Sequence, residues 1–211
     1  MKITKLGHCC LLIEDNGKVI MTDPGAWTTA QNEVKGVHIV LITHEHPDHF
    51  HLESLKKVLA NNPQAIVITN SRVSGLLAEE NIPATVLEHE QQKTWETITI
   101  AGFGTEHANV YPTVPNVINT GFLVQNRFFY PGDAFTNPGV SVEIVAMPMA
   151  GPWMKLAESI EWVKAIKPQV CIPVHDGMLQ PREWIYALPS KLFPDWGIRF
   201  DALELGKPAE Y

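Results

Sequence analysis

Apolar and polar residues alternate from Met1 to Leu6, and a second apolar run fills Cys9 to Ile13. Successive side chains of a strand point to opposite faces, so both stretches read as strands. Asn16-Gly17 favours a tight hairpin, with Val19 to Met21 as the returning strand and Thr22-Asp23-Pro24-Gly25 ending it. A polar stretch, Trp27 to Gly36, then reads as loop. Val37 to Ile42 is almost wholly apolar and predicts a buried strand. Leu52, Leu55 and Leu59 recur at helical spacing as far as Ala60, and Asn61-Asn62-Pro63 stops that helix. Ala65 to Thr69 predicts a strand, Ser71 to Glu80 a helix with Val73, Leu76 and Leu77 inward, and Thr85 to Leu87 a short strand.

The second half repeats this style. Thr94 to Ile100 alternates, with Trp95, Thr97 and Thr99 on one side and Glu96, Ile98 and Ile100 on the other, which predicts one strand. Phe103 to Ala108 is brief and carries His107, and Tyr111 to Asn116 holds two prolines and reads as loop. Ile118 to Val124 and Arg127 to Tyr130 predict a hairpin around Gln125-Asn126. Val142 to Met147 is a buried strand. Lys155 to Ile166 is an amphipathic helix with Leu156, Ile160 and Val163 inward. Val170 to Val174 is a strand, Pro181 to Leu188 a short helix and Ile198 to Leu203 a last strand. Each half passes from hairpins to strand-helix alternation, which predicts an α/β sandwich of two packed sheets with helices outside. At 211 residues and 45% hydrophobic, the chain can bury a full core as one domain, 1–211.

Composition narrows the partners. A net charge of −7 argues against a nucleic-acid surface. No apolar run is long enough to span a bilayer, and no basic segment leads into an apolar stretch with a cleavage site at the N-terminus. The three cysteines, Cys9, Cys10 and Cys171, are an odd number, and neighbours rarely pair. That usage suits a reducing compartment, so the cytoplasm is the expected location, with no membrane and no nucleic acid as partner. Cys9 and Cys10 lie in an apolar run and read as small buried hydrophobes rather than redox or metal groups.

The chemistry concentrates after the strand at 37–42. Thr43-His44-Glu45-His46-Pro47-Asp48-His49 supplies three imidazoles and an aspartate. If the segment is extended, as Pro47 encourages, then His44, His46 and Asp48 share a face. Imidazoles and a carboxylate so arranged suit a divalent metal such as Zn²⁺, Fe or Mn²⁺. Three more candidate ligands, His107, Asp133 and His175, each end an apolar strand. Taken singly, each reads as a cap or turn residue. Taken together, four loops at one edge of a sandwich can converge.

His44-Glu45-His46-Pro47-Asp48-His49 matches the H-x-H-x-D-H signature of the metallo-β-lactamase fold superfamily, and His107, Asp133 and His175 match its later ligands in type, order and approximate spacing. The opening Leu6-Gly7-His8-Cys9-Cys10-Leu11-Leu12-Ile13-Glu14, the Thr22-Asp23-Pro24 turn and Met147-Pro148-Met149-Ala150-Gly151-Pro152-Trp153-Met154 resemble the small metal-dependent hydrolases of that superfamily, a branch similar to the ascorbate-6-phosphate lactonase group. The resemblance implies an αββα four-layer sandwich, two mixed sheets flanked by helices. It implies that His44, His46 and His107 hold one metal, that Asp48, His49 and His175 hold a second, and that Asp133 bridges them. The implied cofactors are two divalent ions, Zn²⁺ first, with Mn²⁺, Fe²⁺ and Ni²⁺ compatible.

The implied reaction is hydrolysis of an ester, lactone, amide or phosphodiester by a hydroxide shared between ions roughly 3.5–4 Å apart. Asp48 would also orient that hydroxide, and His8 would contact substrate or transfer a proton, unless it is a structural histidine. Asp23 reads either as the acceptor for a ligand histidine's other ring nitrogen or as a turn former. Flavin-linked di-iron oxidoreductases of this fold carry a carboxylate where this chain has His46, so hydrolysis is favoured over oxygen chemistry. An iron-dependent oxidoreductase and a non-catalytic metal- or ligand-binding module remain the alternatives. The expected partner is a small organic molecule, in a pocket walled by Trp27 to Gly36, Tyr111 to Pro115, Phe135 to Pro138, Pro152 to Met154 and Met178 to Trp184. A homo-oligomer is compatible with the sequence.

Overall fold

The computed structural model describes residues 1–211. Strands β1 (Lys2–Gly7), β2 (Cys10–Asp15) and β3 (Lys18–Thr22) form an antiparallel meander, with Asn16 and Gly17 both at positive φ in the turn between β2 and β3. β4 (Ile39–Ile42) then runs parallel to β3. Helix α1 (Leu52–Asn61) leads to β5 (Ile66–Thr69), and helix α2 (Ser71–Glu79) leads to β6 (Ala84–Val86). The second sheet begins with β7 (Gln92–Trp95), β8 (Ile98–Phe103), β9 (Gly121–Val124) and β10 (Phe128–Tyr130). It continues through β11 (Ile144–Pro148), helix α3 (Leu156–Ile166), β12 (Val170–Val174), helix α4 (Arg182–Leu192) and β13 (Arg199–Phe200). A last strand, β14 (Pro208–Glu210), returns to the first sheet beside β1.

The sheet orders are β14-β1-β2-β3-β4-β5-β6 and β13-β12-β11-β10-β9-β8-β7, each mixed. The two-residue period explains why the central strands are apolar throughout. Ile39 and Leu41 of β4 face the other sheet, while Val40 and Ile42 face Leu55 and Val58 of α1 and Val73 and Leu77 of α2. In β11, Ile144 and Ala146 face inward, and Val145 and Met147 meet Ile160 and Val163 of α3. The expected four layers are therefore present. The inter-sheet layer is the largest of the three buried clusters, and truncating a fully buried Leu41 or Ile144 to alanine would cost about 2–5 kcal/mol.

Several expectations fail locally. The single strand over 94–100 is two strands. Glu96 takes φ of 52°, and Trp95 pairs with Ile98 across a tight turn. Alternation survives such a turn, so it could not reveal one. Of the strand expected over 198–203 only β13 forms, α4 runs past 188 through Pro189, and β14 is an additional strand.

The segment from Thr43 to Phe50 is turned rather than extended. The amides of His49 and Phe50 both donate to the His46 carbonyl, at 2.9 and 2.8 Å. The Ala26 amide holds the Pro47 carbonyl at 2.8 Å, and a Cβ on Gly25 would lie 1.8 Å from the Asp48 carbonyl oxygen. Only glycine lets the chain after β3 come this close.

Candidate metal centre

All the expected ligands meet at one edge of the sandwich. His44, His46, Asp48 and His49 follow β4, His107 follows β8, Asp133 follows β10 and His175 follows β12. Asp23, after β3, organises the floor. It accepts hydrogen bonds from the Thr43 amide (2.8 Å), the Thr43 hydroxyl (2.8 Å), the Tyr130 hydroxyl (2.7 Å) and His49 Nδ1 (2.7 Å). His44 Nδ1 lies 2.9 Å from the same Thr43 hydroxyl, and His107 Nδ1 lies 2.5 Å from the Ala108 carbonyl. These partners turn the Nε2 lone pairs of His44, His49 and His107 toward the site. Asn70 ties α2 to the loop, its side chain donating to the Thr43 carbonyl at 2.9 Å and accepting from the Val73 amide at 3.0 Å.

One ligand atom each of His44, His46, His107 and Asp133 lies within 4.8 Å of the others. Asp133 also faces the second group. Its Oδ1 is 3.1 Å from His49 Nε2, while its Oδ2 is 3.3 Å from His107 Nε2 and 2.9 Å from His175 Nε2. Trp153 Nε1 donates to that Oδ2 at 2.9 Å, and the Asn119 carboxamide oxygen accepts the Asp133 amide at 3.1 Å. Asp48 Oδ2 lies 3.3 Å from His175 Nε2 and 3.7 Å from His49 Nε2. His8, Asp23 and His175 all adopt positive φ (22°, 35° and 53°), a strained geometry gathered around the site.

The electrostatics divide the cluster. Burial, reinforced by the neighbouring imidazoles, holds His44 well below the ordinary histidine value, and His46 is lowered for the same reasons. Burial would lower His49 too, but Asp133, Cys9 and Asp23 outweigh it and raise it well above the ordinary value. His175 is pushed up to about 10, Cys9 and Asp133 overcoming its burial. Burial opposes ionisation of Asp133 and Asp48 as well, yet the facing imidazoles keep both carboxyls below their usual range. This part of the site is thus an anionic nest that demands positive charge.

The donor set fits a divalent cation. His107 Nε2, Asp133 Oδ1 and both ring nitrogens of His175 are buried and make no properly aligned hydrogen bond. Orphaned buried donors and acceptors are costly and rare unless something else satisfies them. They are imidazole and carboxylate groups, which suit Zn²⁺, Fe, Ni and Mn²⁺.

Above them opens a cavity of about 210 Å³, lined by Trp27, His46, Asp48, His107, Val110, Asp133, Pro152, Trp153, His175 and Met178. Of the expected walls, Trp27, Pro152, Trp153 and Met178 are there. Phe135 instead packs behind Trp153, ring centres 5.3 Å apart, and Val110 replaces the 111–115 stretch. Arg182 is not on the wall. A roomier groove of about 300 Å³ beside Ser71, His89 and Thr120 gathers no comparable donor set.

His8 stands behind Asp48 rather than on the cavity wall. Its Nδ1 accepts the Gly177 amide at 3.0 Å, so Nε2 carries the proton toward Asp48 Oδ2 at 3.2 Å. His38, His51 and His89 lie outside, serving the Val19 amide, Ser54 and the Gly104 amide. Glu45 pairs with Arg72 on α2. Sequence reasoning missed Tyr130, Thr43, Asn119 and Trp153 as partners of the two buried aspartates. It also missed that the Cys9 side chain turns toward His49.

No helix is long and apolar enough to cross a membrane. Residues 2–175 match the family model described as the beta-lactamase superfamily domain. Among similar curated proteins, Protein Rv0786c of Mycobacterium tuberculosis is 31% identical over 86% of each chain. A UPF0173 metal-dependent hydrolase of Aeropyrum pernix is 27% identical over 92% of this chain and 91% of its own. Among solved structures, Igni18, a metallo hydrolase from Ignicoccus hospitalis, superposes with a TM-score of 0.78 at 17% identity, covering 100% of this chain and 98% of that one.

Proposed function

The chain belongs to the beta-lactamase superfamily domain family, and from that membership and its donor set we propose that it is a metal-dependent hydrolase of a small organic substrate. The observation that carries this reading is the convergence of buried, unpartnered His107, Asp133 and His175 atoms on the floor of an open cavity. His44, His46 and His107 would hold one divalent ion, and Asp48, His49 and His175 a second. Asp133, its Oδ2 facing His107 and His175 and its Oδ1 facing His49, would lie between them. Zn²⁺ suits so imidazole-rich a set best. When bound, such ions supply Lewis acidity, lowering the pKa of water toward 7 and polarising a carbonyl or phosphoryl oxygen.

The protein's own groups do the rest. Asp48 reaches the cavity, stays ionised, and accepts a hydrogen bond from an attacking water, fixing its orientation. His8 holds that carboxylate in place through Nε2, its tautomer set by the Gly177 amide. Asp23 locks the ring of His49. Trp27, Val110 and Met178 form a partly exposed apolar lip that excludes bulk water and receives an apolar group. A cavity of about 210 Å³ is small beside ordinary ligand pockets of ~300–1,000 Å³, so it admits a compact electrophile or only the reacting end of a longer one. These features favour an uncharged ester, lactone or amide over a phosphodiester, because no free Arg or Lys lines the wall.

The test is a substrate panel run on metal-loaded protein with and without chelator. Hydrolysis of at least one uncharged ester, lactone or amide, abolished by chelator and restored by Zn²⁺, is the expected result. No turnover across the panel at full loading would overturn the reading, and flavin- or oxygen-dependent turnover would favour the oxidoreductase alternative.

A further inference from the structure

Cys9 lies in the turn between β1 and β2, and its backbone is pinned there. Its carbonyl accepts the Tyr130 hydroxyl at 3.1 Å and the Thr22 hydroxyl at 2.9 Å. With the main chain so held, the side chain points under the metal centre, and Sγ stands 3.8 Å from His49 Nε2. That nitrogen is the one turned toward the site, because Nδ1 is bound to Asp23, and it also faces Asp133 Oδ1 at 3.1 Å. One ligand atom each of His8, Cys9, His49 and His175 lies within 4.8 Å of the others, and all four residues are buried. His175 is 2% exposed, and neither of its ring nitrogens has a hydrogen-bond partner. Both nitrogens of His8 are committed, one to the Gly177 amide and one to Asp48. The donors of this group left for a cation are therefore Cys9 Sγ with His49 Nε2 and His175 Nε2, the two imidazoles also facing Asp133 at 3.1 and 2.9 Å.

We propose that the Cys9 sulfur is itself a metal ligand in the half of the centre formed by His49 and His175, which makes that half a sulfur-containing site. The proposal rests on the metal-centre reading above and adds a donor to it. Metal binding by a thiol requires loss of its proton, which leaves to solvent as the sulfur takes the coordination position. A thiolate is a soft ligand, so this half would favour Zn²⁺, Co²⁺ or Fe²⁺ over Mn²⁺ and Mg²⁺. The first group, with only imidazole and carboxylate donors, would not share that preference. The competing role for Cys9, a small apolar residue packed in the inter-sheet core, predicts no sulfur-metal bond.

Cobalt decides between them. The full chain is loaded with Co²⁺, its cobalt content measured, and its spectrum recorded. Wild type should show a near-ultraviolet thiolate-to-cobalt charge-transfer band in addition to the visible bands of nitrogen- and oxygen-bound cobalt. Cys9→Ser and Cys9→Ala should lose the charge-transfer band. Cys10→Ala and Cys171→Ala should keep it, because those thiols lie in the helix-facing layers away from the centre. Since a Cys9 variant can misfold, the wild-type spectrum suffices alone. Two bound cobalt ions per chain without the charge-transfer band would overturn the sulfur ligand and leave the metal-centre reading standing, and loading that stops at one ion would remove the half to which the sulfur belongs. A band that survives in Cys9→Ser would also overturn it. A chain that takes up no cobalt would overturn both.

Discussion

The two groups of donors around Asp133 are both rich in imidazole and behave differently. His44, His46 and His107 face one another with Asp133 as their nearest carboxylate, and burial and the neighbouring imidazoles keep His44 and His46 neutral. Neutral imidazole is the form a metal needs, so His44 and His46 would bind a cation at neutral pH without first losing a proton. His49 and His175 face Asp133, Asp48, Asp23 and Cys9, and those groups hold protons on their rings. A cation entering this half must displace them. The comparison teaches that ligand identity alone does not set affinity. The carboxylates beside an imidazole decide whether its competitor is water or a proton.

The largest expected effect comes from the residue common to both halves. Asp133→Ala should empty one half and weaken the other, reducing bound metal below two per chain and hydrolysis by at least about 100-fold, the upper end of what even outer partners cost. Full metal content in that variant would break the proposed division.

Next in size is Asp23→Asn. Asp23 accepts from His49 Nδ1 directly but reaches His44 only through the Thr43 hydroxyl. Metal affinity should fall about 10–100-fold, and more on the His49 side. Equal losses on both sides, read by stepwise metal titration, would remove the asymmetry.

The pH dependence sharpens the same contrast. For His175 the metal-free pKa is raised to about 10, so the imidazolium contributes stability to the metal-free chain that is fully present below the unfolded value of 6.5. That contribution is lost as pH rises through about 10. Metal uptake by this half should therefore strengthen with pH below that value, by about tenfold per unit for each proton displaced. Uptake at His44 and His46, whose lowered pKa leaves them unprotonated at neutrality, should show little change over the same range. Calorimetry in buffers of different ionisation heat would count the protons released. The smallest effect is expected at the lip. Trp27→Ala should raise KM for an apolar substrate a few-fold, about 1 kcal/mol of lost contact, and leave metal content unchanged.

Much of this architecture was legible in the chain because burial and periodicity carry it. β4 and β11 are apolar throughout since each is covered on both faces, and the helices that cover them show their inward stripes plainly. The His44 to His49 loop was legible because its donors are adjacent in sequence. What stayed hidden depends on dihedral angles. Glu96 at positive φ divides a stretch whose alternation continues unbroken. His8 at φ of 22° swings the next residue so that Cys9, in an apolar run, faces polar groups. The partners of Asp133 and Asp23, namely Trp153, Asn119, Tyr130 and Thr43, come from distant segments, and no local pattern marks them.

The most direct test is metal stoichiometry in the purified full chain after Zn²⁺ loading and dialysis. The division into two halves predicts two ions per chain in wild type, one in His44→Ala, one in His175→Ala, and none when both changes are combined. Wild type retaining no zinc, or the double variant retaining as much as wild type, would contradict it.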